Sequence, residues 1–450
     1  MIPFGKRIEP MVDRYLIGSA EDVSFRLEKP AERGKVLGFE KPWEGPGSLG
    51  LSVLQDGENV KMYYRGYPHD DGGDGDYSWK QTSCLAVSAD GVRFERYPVN
   101  RIAYDGITEN NIVRMGKDCH NFAPFLDGNP AARPDERYKA IGGIGGDSET
   151  RGMHVYASPD GIRWRDLTGG PVIDYGEFDS MNMAFWDPAA GLYRCYIRYF
   201  DRDVTPDHAP WGVRAIRSAV SKDFIRWTQT VHNEYPEGLT DQLYTNAARP
   251  IPGAAHVLLS IPMRFQEARK KFPEYRYPGV SDALLMTSRD GVRWTLPVRD
   301  AWLSGGLNGH EWTQRNFISL GGVVEMGNDF LLYAMKNYMW EDGGIWAYSI
   351  PRYRFASVYA DGDGGRFTTK ELAFETDDIH LNFATSAYGS VRVRVLDEGG
   401  AVRFVSEELY GNEISCPLHV DGLAGTCGKL EIALREAHLY ALGADMGKRA

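Results

Sequence analysis

The chain has 450 residues and is rich in Gly (51), Pro (24), Tyr (25), Phe (19) and Trp (11). Its 51 Lys and Arg stand against 62 Asp and Glu, which gives a formal net charge of −11, and apolar residues make up 42%. The acidic balance speaks against nucleic acid as a partner, and no apolar stretch approaches the roughly 18 residues of a membrane span. The apolar content excludes disorder, and the aromatic and Gly content favours many short strands joined by turns.

The N-terminal 40 residues contain one strand-like segment, VSFRLEK, and no apolar core followed by a cleavage site of the secretory kind. We therefore expect a cytoplasmic protein. The cysteines are odd in number and lack metal-type CxxC spacing, so we expect reduced thiols, no metal and no cofactor. They are Cys84, Cys119, Cys195, Cys416 and Cys427.

A short pattern recurs along the first 355 residues: Ser, any residue, Asp, Gly or Phe, an apolar residue, Arg and an aromatic residue. Its copies are SADGVRF at 88–94, SPDGIRW at 158–164, SKDFIRW at 221–227, SRDGVRW at 288–294 and the degraded SIPRYRF at 349–355. The steps between the first serines are 70, 63, 67 and 61 residues. Because Asp-Gly supplies a tight turn, each copy predicts a hairpin.

A second pattern precedes each copy, in which an apolar run ends in a turn and a further aromatic or aliphatic strand follows, as in NMAFWDPAAGLYRCYIR. Each period therefore holds four strands, and five such units predict a five-bladed β-propeller over residues 1–355. We expect residues 1–40 to be an N-terminal extension that covers an edge or completes a blade. After residue 356 the repeat stops, and period-2 strands predict a C-terminal β-sandwich over 356–450.

In a propeller the inner strand of each blade begins, and the second strand ends, at the same rim of the central channel. Polar residues gather at both places. Those before the inner strands are Trp43, Glu44, His120, Asn121, Asp179, Asn182, Asp241, Tyr244, Asn246, Glu311, Trp312 and Arg315. The cations at the ends of second strands are Arg65, Arg198, Arg264 and Lys336. Carboxylates and cations among aromatic walls suit a sugar, so we expect an oligosaccharide or glycoside substrate.

Glycoside hydrolysis generally needs two carboxylates, one of which acts as a general acid and the other as a nucleophile or base. The candidates are Asp179, Asp241, Glu311 and Glu44; the remaining rim residues are candidates for substrate binding. For each acid alone, a structural role in a salt bridge with one of the arginines is the alternative. The acidic segment 69–76 has oxygen ligands for calcium but lacks EF-hand spacing, so a solvated hairpin loop is favoured.

The segments HNFAPFLDGN and FDSMNMAFWD, together with the S-x-D-G hairpins, resemble the five-bladed propeller glycosidases of glycoside hydrolase families 32, 43, 62 and 68. The nearest likeness is to family-32-like proteins with a C-terminal β-sandwich. By position, Asn121 stands where that superfamily has a transition-state-stabilising Asp, and Asp179 stands where it has the acid/base Glu. In blade 1 the usual motif is replaced by PWEGPGSLG, with Glu44 as the nearby acid.

The sequence thus predicts an exo-acting glycoside hydrolase that cleaves a furanoside, of the fructofuranoside or arabinofuranoside type, with a carboxylate pair at the propeller mouth. Two alternatives remain open: a phosphorylase on the same scaffold, whose rim cations would hold phosphate, and a non-catalytic carbohydrate-binding propeller. A homo-oligomer is compatible with the sequence.

Overall fold

The computed structural model describes residues 1–68, 80–145, 150–201 and 212–447. Its secondary structure in these ranges consists of β-strands and three short 3-10 turns at Lys117–Asn121, Pro134–Glu136 and Gly309–Trp312. None of the helical turns in these ranges has the length and apolar content needed to span a membrane.

Five strands precede the repeated region: β1 Ile2–Phe4, β2 Ile8–Pro10, β3 Ile17–Glu21, β4 Ser24–Leu27 and β5 Ala31–Gly38. The next strands form the first three blades. Blade 1 contains β6 Leu49–Asp56, β7 Asn59–Gly66, β8 Thr82–Ser88, β9 Glu95–Arg96 and β10 Ile112–Met115. Blade 2 contains β11 Ala123–Leu126, β12 Tyr138–Ile144, β13 Gly152–Ser158 and β14 Arg165–Asp166. Blade 3 contains β15 Met183–Asp187, β16 Leu192–Asp201, β17 Val213–Ser221 and β18 Val231–His232.

Blade 4 is divided into two three-stranded sheets. Its strands are β19 Gln242–Leu243, β20 Arg249–Ile251, β21 Ala254–Ser260, β22 Met263–Gln266, β23 Val280–Ala283 and β24 Met286–Ser288. Pro262 stands between β21 and β22 and has no amide hydrogen for the ladder, while Ala247 between β19 and β20 has a φ of 47°. These two residues account for the interruption of the first two strands of this blade.

Blade 5 contains β25 Ile318–Ser319, β26 Val324–Met326, β27 Asp329–Lys336 and β28 Gly344–Pro351. Its outer strand is β5, which pairs antiparallel with β28. The N-terminal part of the chain therefore completes the last blade. The ring also closes on the inside, where Ser52 of blade 1 forms a parallel bridge with Gly321 after β25. The five-bladed propeller predicted from the repeat is confirmed.

The S-x-D-G segments are the turns between the third and fourth strands of the blades. In the copy at 158–164, Asp160 Oδ1 accepts the amide of Ile162 at 2.9 Å and Ser158 Oγ accepts the amide of Gly161 at 2.8 Å. Gly161 has a φ of 77°, and a Cβ there would lie 2.3 Å from Tyr63 Oη of the previous blade. Glycine is required here by both the backbone conformation and the close approach.

Three of these turns also join a blade to its neighbour. A tyrosine from the second strand of the preceding blade donates its hydroxyl to the glycine carbonyl of the turn. The pairs are Tyr63 with Gly161 (3.0 Å), Tyr196 with Gly291 (2.9 Å) and Tyr333 with Gly91 (2.7 Å). The repeated residues therefore hold the blades together, which explains their recurrence without any role in chemistry.

The second module is a β-sandwich of eleven strands in one continuous hydrogen-bonded sheet around its own core. Beyond the propeller it contains β29 Ala356–Ala360, β30 Gly365–Thr369, β31 Leu372–Phe374, β32 Asp378–Asp397, β33 Val402–Val405, β34 Asn412–His419 and β35 Cys427–Gly443. Its core includes Phe4, Leu372, Val393 and Leu439.

The N-terminal strands are divided between the two modules. β1 pairs with β31, β2 with β35, β3 with β30 and β4 with β29, so all four belong to the sandwich. The extension expected over residues 1–40 of the propeller is therefore present only as β5. These four strands find their partners instead in β29, β30, β31 and β35, which are 300 or more residues away in sequence.

All five cysteines are free thiols, of which Cys84, Cys119 and Cys195 are buried. Burial raises the pKa of the Cys195 thiol to about 12.

Candidate functional site

The four cations predicted at one rim do lie at the ends of second strands, in β7, β16, β22 and β27, but their partners differ. Arg65 donates to the carbonyl of Gly47 from Nε (3.1 Å) and Nη2 (2.6 Å). Lys336 is buried between Glu311 (2.5 Å) and Glu32 (2.8 Å). Equivalent positions in the repeat thus carry different local functions.

At the channel mouth, Arg65 lies against His120. The distance from Arg65 Nη1 to His120 Nε2 is 2.9 Å, and His120 Nδ1 is 2.7 Å from Gln81 Oε1. Burial and the positive charges of Arg65 and Arg315 hold the pKa of His120 well below its ordinary value. His120 is therefore a neutral imidazole near pH 7.

Tyr338 connects two of these guanidinium groups. Its hydroxyl oxygen accepts from Arg65 Nη2 at 3.3 Å and from Arg315 Nη1 at 3.0 Å. Arg315 stands at a φ of 58°, a conformation that is costly for a residue with a side chain. The mouth thus has a positively charged centre to which blades 1 and 5 contribute.

Asp179 is the exposed carboxylate of this centre. Its side chain is 54% exposed, and it forms an ion pair with Arg198, whose side chain is 2% exposed. The main-chain oxygen of Asp179 lies 3.1 Å from His120 Nε2, so the acid and the imidazole are neighbours. A buried guanidinium that holds an accessible carboxylate restricts the orientation of that carboxylate.

Tyr244 forms the aromatic wall beside this pair. The guanidinium carbons of Arg198 and Arg214 lie 5.1 and 4.8 Å from its ring centroid. Burial alone would raise the pKa of Tyr244, but the charges of Arg315, Arg198 and Arg214 outweigh it and lower the pKa. The phenol is thus in a strongly positive field.

A cleft of about 560 Å³ adjoins this wall on blade 4, and Asp241, Arg264, Asp282 and Trp312 line it. Arg264 binds Asp282 through Nε (2.9 Å) and Nη2 (2.7 Å), while its Nη1 lies 3.5 Å from Asp241 Oδ1. Asp241 and Asp282 therefore share one guanidinium. The half-buried indole of Trp312 offers an apolar surface of the kind that packs on a sugar ring.

Glu44 and Trp43 lie in the core of blade 1, and the structure corrects their predicted roles. The Glu44 side chain is 0% exposed and forms a bidentate ion pair with Arg96 at 2.8 and 2.7 Å. It also accepts from Tyr64 Oη at 2.6 Å. Trp43 is buried and donates to Asn111 at 3.0 Å. Both residues are structural, because no substrate can reach them.

Glu311 is also buried, and its carboxylate is bonded to Lys336 and to the amide of Gly306 at 2.6 Å. This network ties blade 5 to Glu32 of β5. The catalytic role predicted for Glu311 and the substrate-binding role predicted for Lys336 are replaced by a structural one, since their charges neutralise each other inside the protein.

The four asparagines at the inner-strand openings are buried and bind main chain. Asn182 Oδ1 accepts the amide of Arg198 at 2.9 Å, and Asn316 Oδ1 accepts the amide of Asn337 at 2.6 Å. Asn121 donates to the Phe178 carbonyl, and Asn246 accepts from Ala248. They position the strands that carry the site, and this structural role replaces the substrate contact predicted for Asn121, Asn182 and Asn246.

Four contributors to the site were not predicted from the sequence: Gln81, Arg214, Asp282 and Tyr338. Asp282 and Arg214 lie on third strands, whereas the predicted rim residues come from the starts of inner strands and the ends of second strands. The acidic segment 69–76 lies outside the described residues. Within the described ranges, no group of three or more His, Cys, Asp or Glu residues could hold a metal ion.

No protein-family model and no curated protein matches the chain. Among solved structures, it is similar to one described as a glycoside hydrolase, at 14% identity and a TM-score of 0.48, covering 72% of this chain and 92% of that chain. A family 32 β-fructofuranosidase of Bombyx mori is 9% identical with a TM-score of 0.42, covering 98% and 96%.

A third structure comes from family 130, described as mannoside phosphorylases that contain glycoside hydrolases of β-1,2 mannosidic linkages. It is 14% identical, with a TM-score of 0.43, and the match covers 77% of this chain and 96% of that chain. The five-bladed propeller and the second β module of this chain rest on the strand pairing described above.

Proposed function

We infer that the chain is a glycoside hydrolase whose active site is the propeller mouth together with the adjoining cleft on blade 4. The observation that carries this proposal is the accessible carboxylate of Asp179, which is ion-paired with buried Arg198 in a residue whose main-chain oxygen contacts the neutral imidazole of His120. Asp241 supplies the second carboxylate, from the blade 4 side of Tyr244.

Asp179 and Asp241 are proposed for the two carboxylate roles of glycosidic bond cleavage because both carboxylates are accessible, with 54% and 33% of their side chains exposed. Two carboxylates on either side of the bond act as acid and as nucleophile or base, at separations of roughly 5 to 9.5 Å depending on the stereochemical course. Tyr244 and Trp312 provide the apolar walls against which the C–H side of a sugar ring packs. Asp282 is a positioning residue, since it fixes the guanidinium of Arg264 that touches Asp241.

The finer proposal is exo action on a furanoside of the fructofuranoside or arabinofuranoside type. It is supported by the resemblance in the inner-strand openings and by the position of Asp179 just before β15.

The test is turnover of a panel of nitrophenyl furanosides and pyranosides by wild type, Asp179→Asn, Asp241→Asn and the exposed control Asp300→Asn. We expect each of the two site variants to lose about 10²- to 10⁴-fold in kcat with unchanged folding, and the control to match wild type. Full activity of Asp179→Asn would refute the assignment. An inactive wild type that still binds sugars would favour a carbohydrate-binding propeller.

A phosphorylase is the second candidate, favoured by the guanidinium groups of Arg65 and Arg315, which converge on Tyr338 beside His120. Such a centre suits the phosphate dianion. Turnover that requires inorganic phosphate and yields a sugar phosphate would support this reading, whereas turnover in phosphate-free buffer would support the hydrolase.

A further inference from the structure

The opposite end of the central channel holds a second cavity. Its volume is about 420 Å³, and every blade contributes to its lining through residues at or after the end of its inner strand. Leu54, Phe125, Trp186, Pro250 and Val323 represent blades 1 to 5 in that order. The cavity therefore lies on the propeller axis, away from the mouth that carries Asp179.

Arg249 lines this cavity and is 7% exposed. Its Nη1 donates to the carbonyl of Ala248 at 2.9 Å, whereas its buried Nη2 has no hydrogen-bond partner. No carboxylate in the described ranges forms an ion pair with it. A buried guanidinium without a counter-charge is rare, because its desolvation is not offset. Burial lowers its pKa to about 9, which still leaves it charged at pH 7.

The backbone around Arg249 leaves room for this side chain. A Cβ at Gly321 would lie 2.9 Å from Arg249 Nη2 and 1.9 Å from Met183 Cε, so a larger residue there would displace one or both of these side chains. The guanidinium also faces the ring of Phe185, with 5.5 Å between its carbon and the ring centroid. The fold thus accommodates a charged group at a position where an apolar side chain would be less costly.

The rest of the cavity is mainly apolar, and its polar groups have partners. Gln55 exchanges hydrogen bonds with the main chain of Glu325, and the Glu325 carboxylate is paired with Arg352 at 2.7 Å. The walls consist of aromatic, aliphatic and prolyl side chains. A sugar or a phosphate dianion would find too few hydrogen-bonding groups here.

We propose that this cavity is a second binding site, distinct from the glycoside site, for a monocarboxylate with a planar apolar body. The carboxylate pairs with the Arg249 guanidinium after a side-chain rotation that brings its enclosed Nη2 into the cavity, and the body packs against Trp186 and the edges of Phe125 and Phe185. A charge-assisted hydrogen bond in a site of this kind contributes enough to change affinity by a factor of roughly 10 to 100.

The experiment is isothermal titration calorimetry of the full chain with benzoate, with acetate and chloride as anions that lack an apolar body and benzamide as the uncharged isostere. We expect benzoate to bind wild type at least 10-fold more tightly than acetate, chloride or benzamide. Arg249→Met should weaken benzoate binding by roughly 10- to 100-fold. Glycoside turnover is measured in parallel and should not change, because Arg249 lies away from the mouth.

The stability of the unliganded protein to urea distinguishes a ligand-binding role of Arg249 from a structural role. If Arg249 is kept for a ligand, Arg249→Met should raise the urea midpoint of the unliganded protein or leave it unchanged, since an unpaired buried charge is removed. Equal benzoate binding by wild type and Arg249→Met, equal binding of acetate and benzoate, or no benzoate binding by wild type would each overturn the proposal. A lower midpoint for Arg249→Met would instead identify the guanidinium as a structural donor to Ala248. Arg249→Lys, which retains the charge, should keep part of the affinity.

Discussion

Replacement of Glu44 by Gln should destabilise the protein without affecting its chemistry. The Glu44 carboxylate has no exposed surface and accepts from Arg96 Nε and Nη2, from Tyr64 Oη and from the amides of Glu40 (2.9 Å) and Lys41 (3.1 Å). Glutamine has the same shape but cannot accept from all of these donors. It also leaves the charge of Arg96 without its partner.

The size of the loss follows from the burial of the two groups. Breaking a buried ion pair by removing one partner costs about 3–5 kcal/mol. The Arg96 side chain is 23% exposed, so water relieves part of its lost pairing, and we expect a value near the lower end, about 3 kcal/mol. The hydrogen bonds and the charge of Glu44 hold the pKa of Arg96 above its usual value, which agrees with a strong pair.

Urea unfolding followed by tryptophan fluorescence measures this loss, and turnover of the best nitrophenyl glycoside measures the chemistry. Arg96→Met serves as the matched variant, and the double variant Glu44→Gln/Arg96→Met should recover part of the stability, since both charges are gone. A Glu44→Gln protein that keeps its urea midpoint but loses 100-fold or more in kcat would refute the structural assignment and return Glu44 to the catalytic candidates.

Two further predictions concern the joints of the fold. Glu9 is fully buried and contacts Arg7 (2.6 Å), Arg289 (2.9 Å) and His256 (3.2 Å). Burial raises the pKa of Glu9, but the interaction with His256 and the charges of Arg289 and Arg7 outweigh burial and hold this pKa below 4.5. Its contribution is therefore complete above pH 4.5 and is lost as the pH falls below that value toward the lowered folded pKa. The gap in urea midpoint between wild type and Glu9→Gln should be wide at pH 7 and should narrow as the pH is lowered below 4.5. A gap that does not depend on pH would contradict this. Tyr196→Phe leaves the buried carbonyl of Gly291 without its donor and should lower the free energy of unfolding, measured in urea, by about 1–3 kcal/mol. Replacement of the exposed Tyr388 by Phe should change that free energy by less than about 0.5 kcal/mol. Equal effects of the two substitutions would contradict the blade-joining role.

The sequence was sufficient to predict the architecture because the repeat residues have local and inter-blade functions that recur in several blades. Ser158, Asp160 and Gly161 build their turn within four residues, and the same spacing in the other copies marks the same turn. Periodicity also placed Asp179 and Arg198 at the mouth, because the start of an inner strand and the end of a second strand meet at one rim.

The sequence could not show which rim charges are already paired. The partner of Glu44 is Arg96, which lies 52 residues further along the chain, and Lys336 pairs with Glu32, 304 residues away. Asp282, which holds Arg264, lies on a third strand and has no counterpart in the repeat. Whether a carboxylate is catalytic or structural depends on these contacts between distant parts of the sequence, and they form only when the blades assemble into the ring.

The division of the N-terminal strands between the two modules has a consequence for biosynthesis. β5 must wait for β28, more than 300 residues later, before the last blade is complete, and β2 must wait for β35, which is the last strand. At about 5–20 residues per second, the ribosome needs roughly 20 to 80 seconds to reach that strand. The partners of β5, β4, β3 and β1 are made within residues 344–374, and until then the edges of these strands are unpaired; unpaired edges are where β-proteins aggregate. A chaperone that shields β1–β5 would therefore act until β28–β31 have been made.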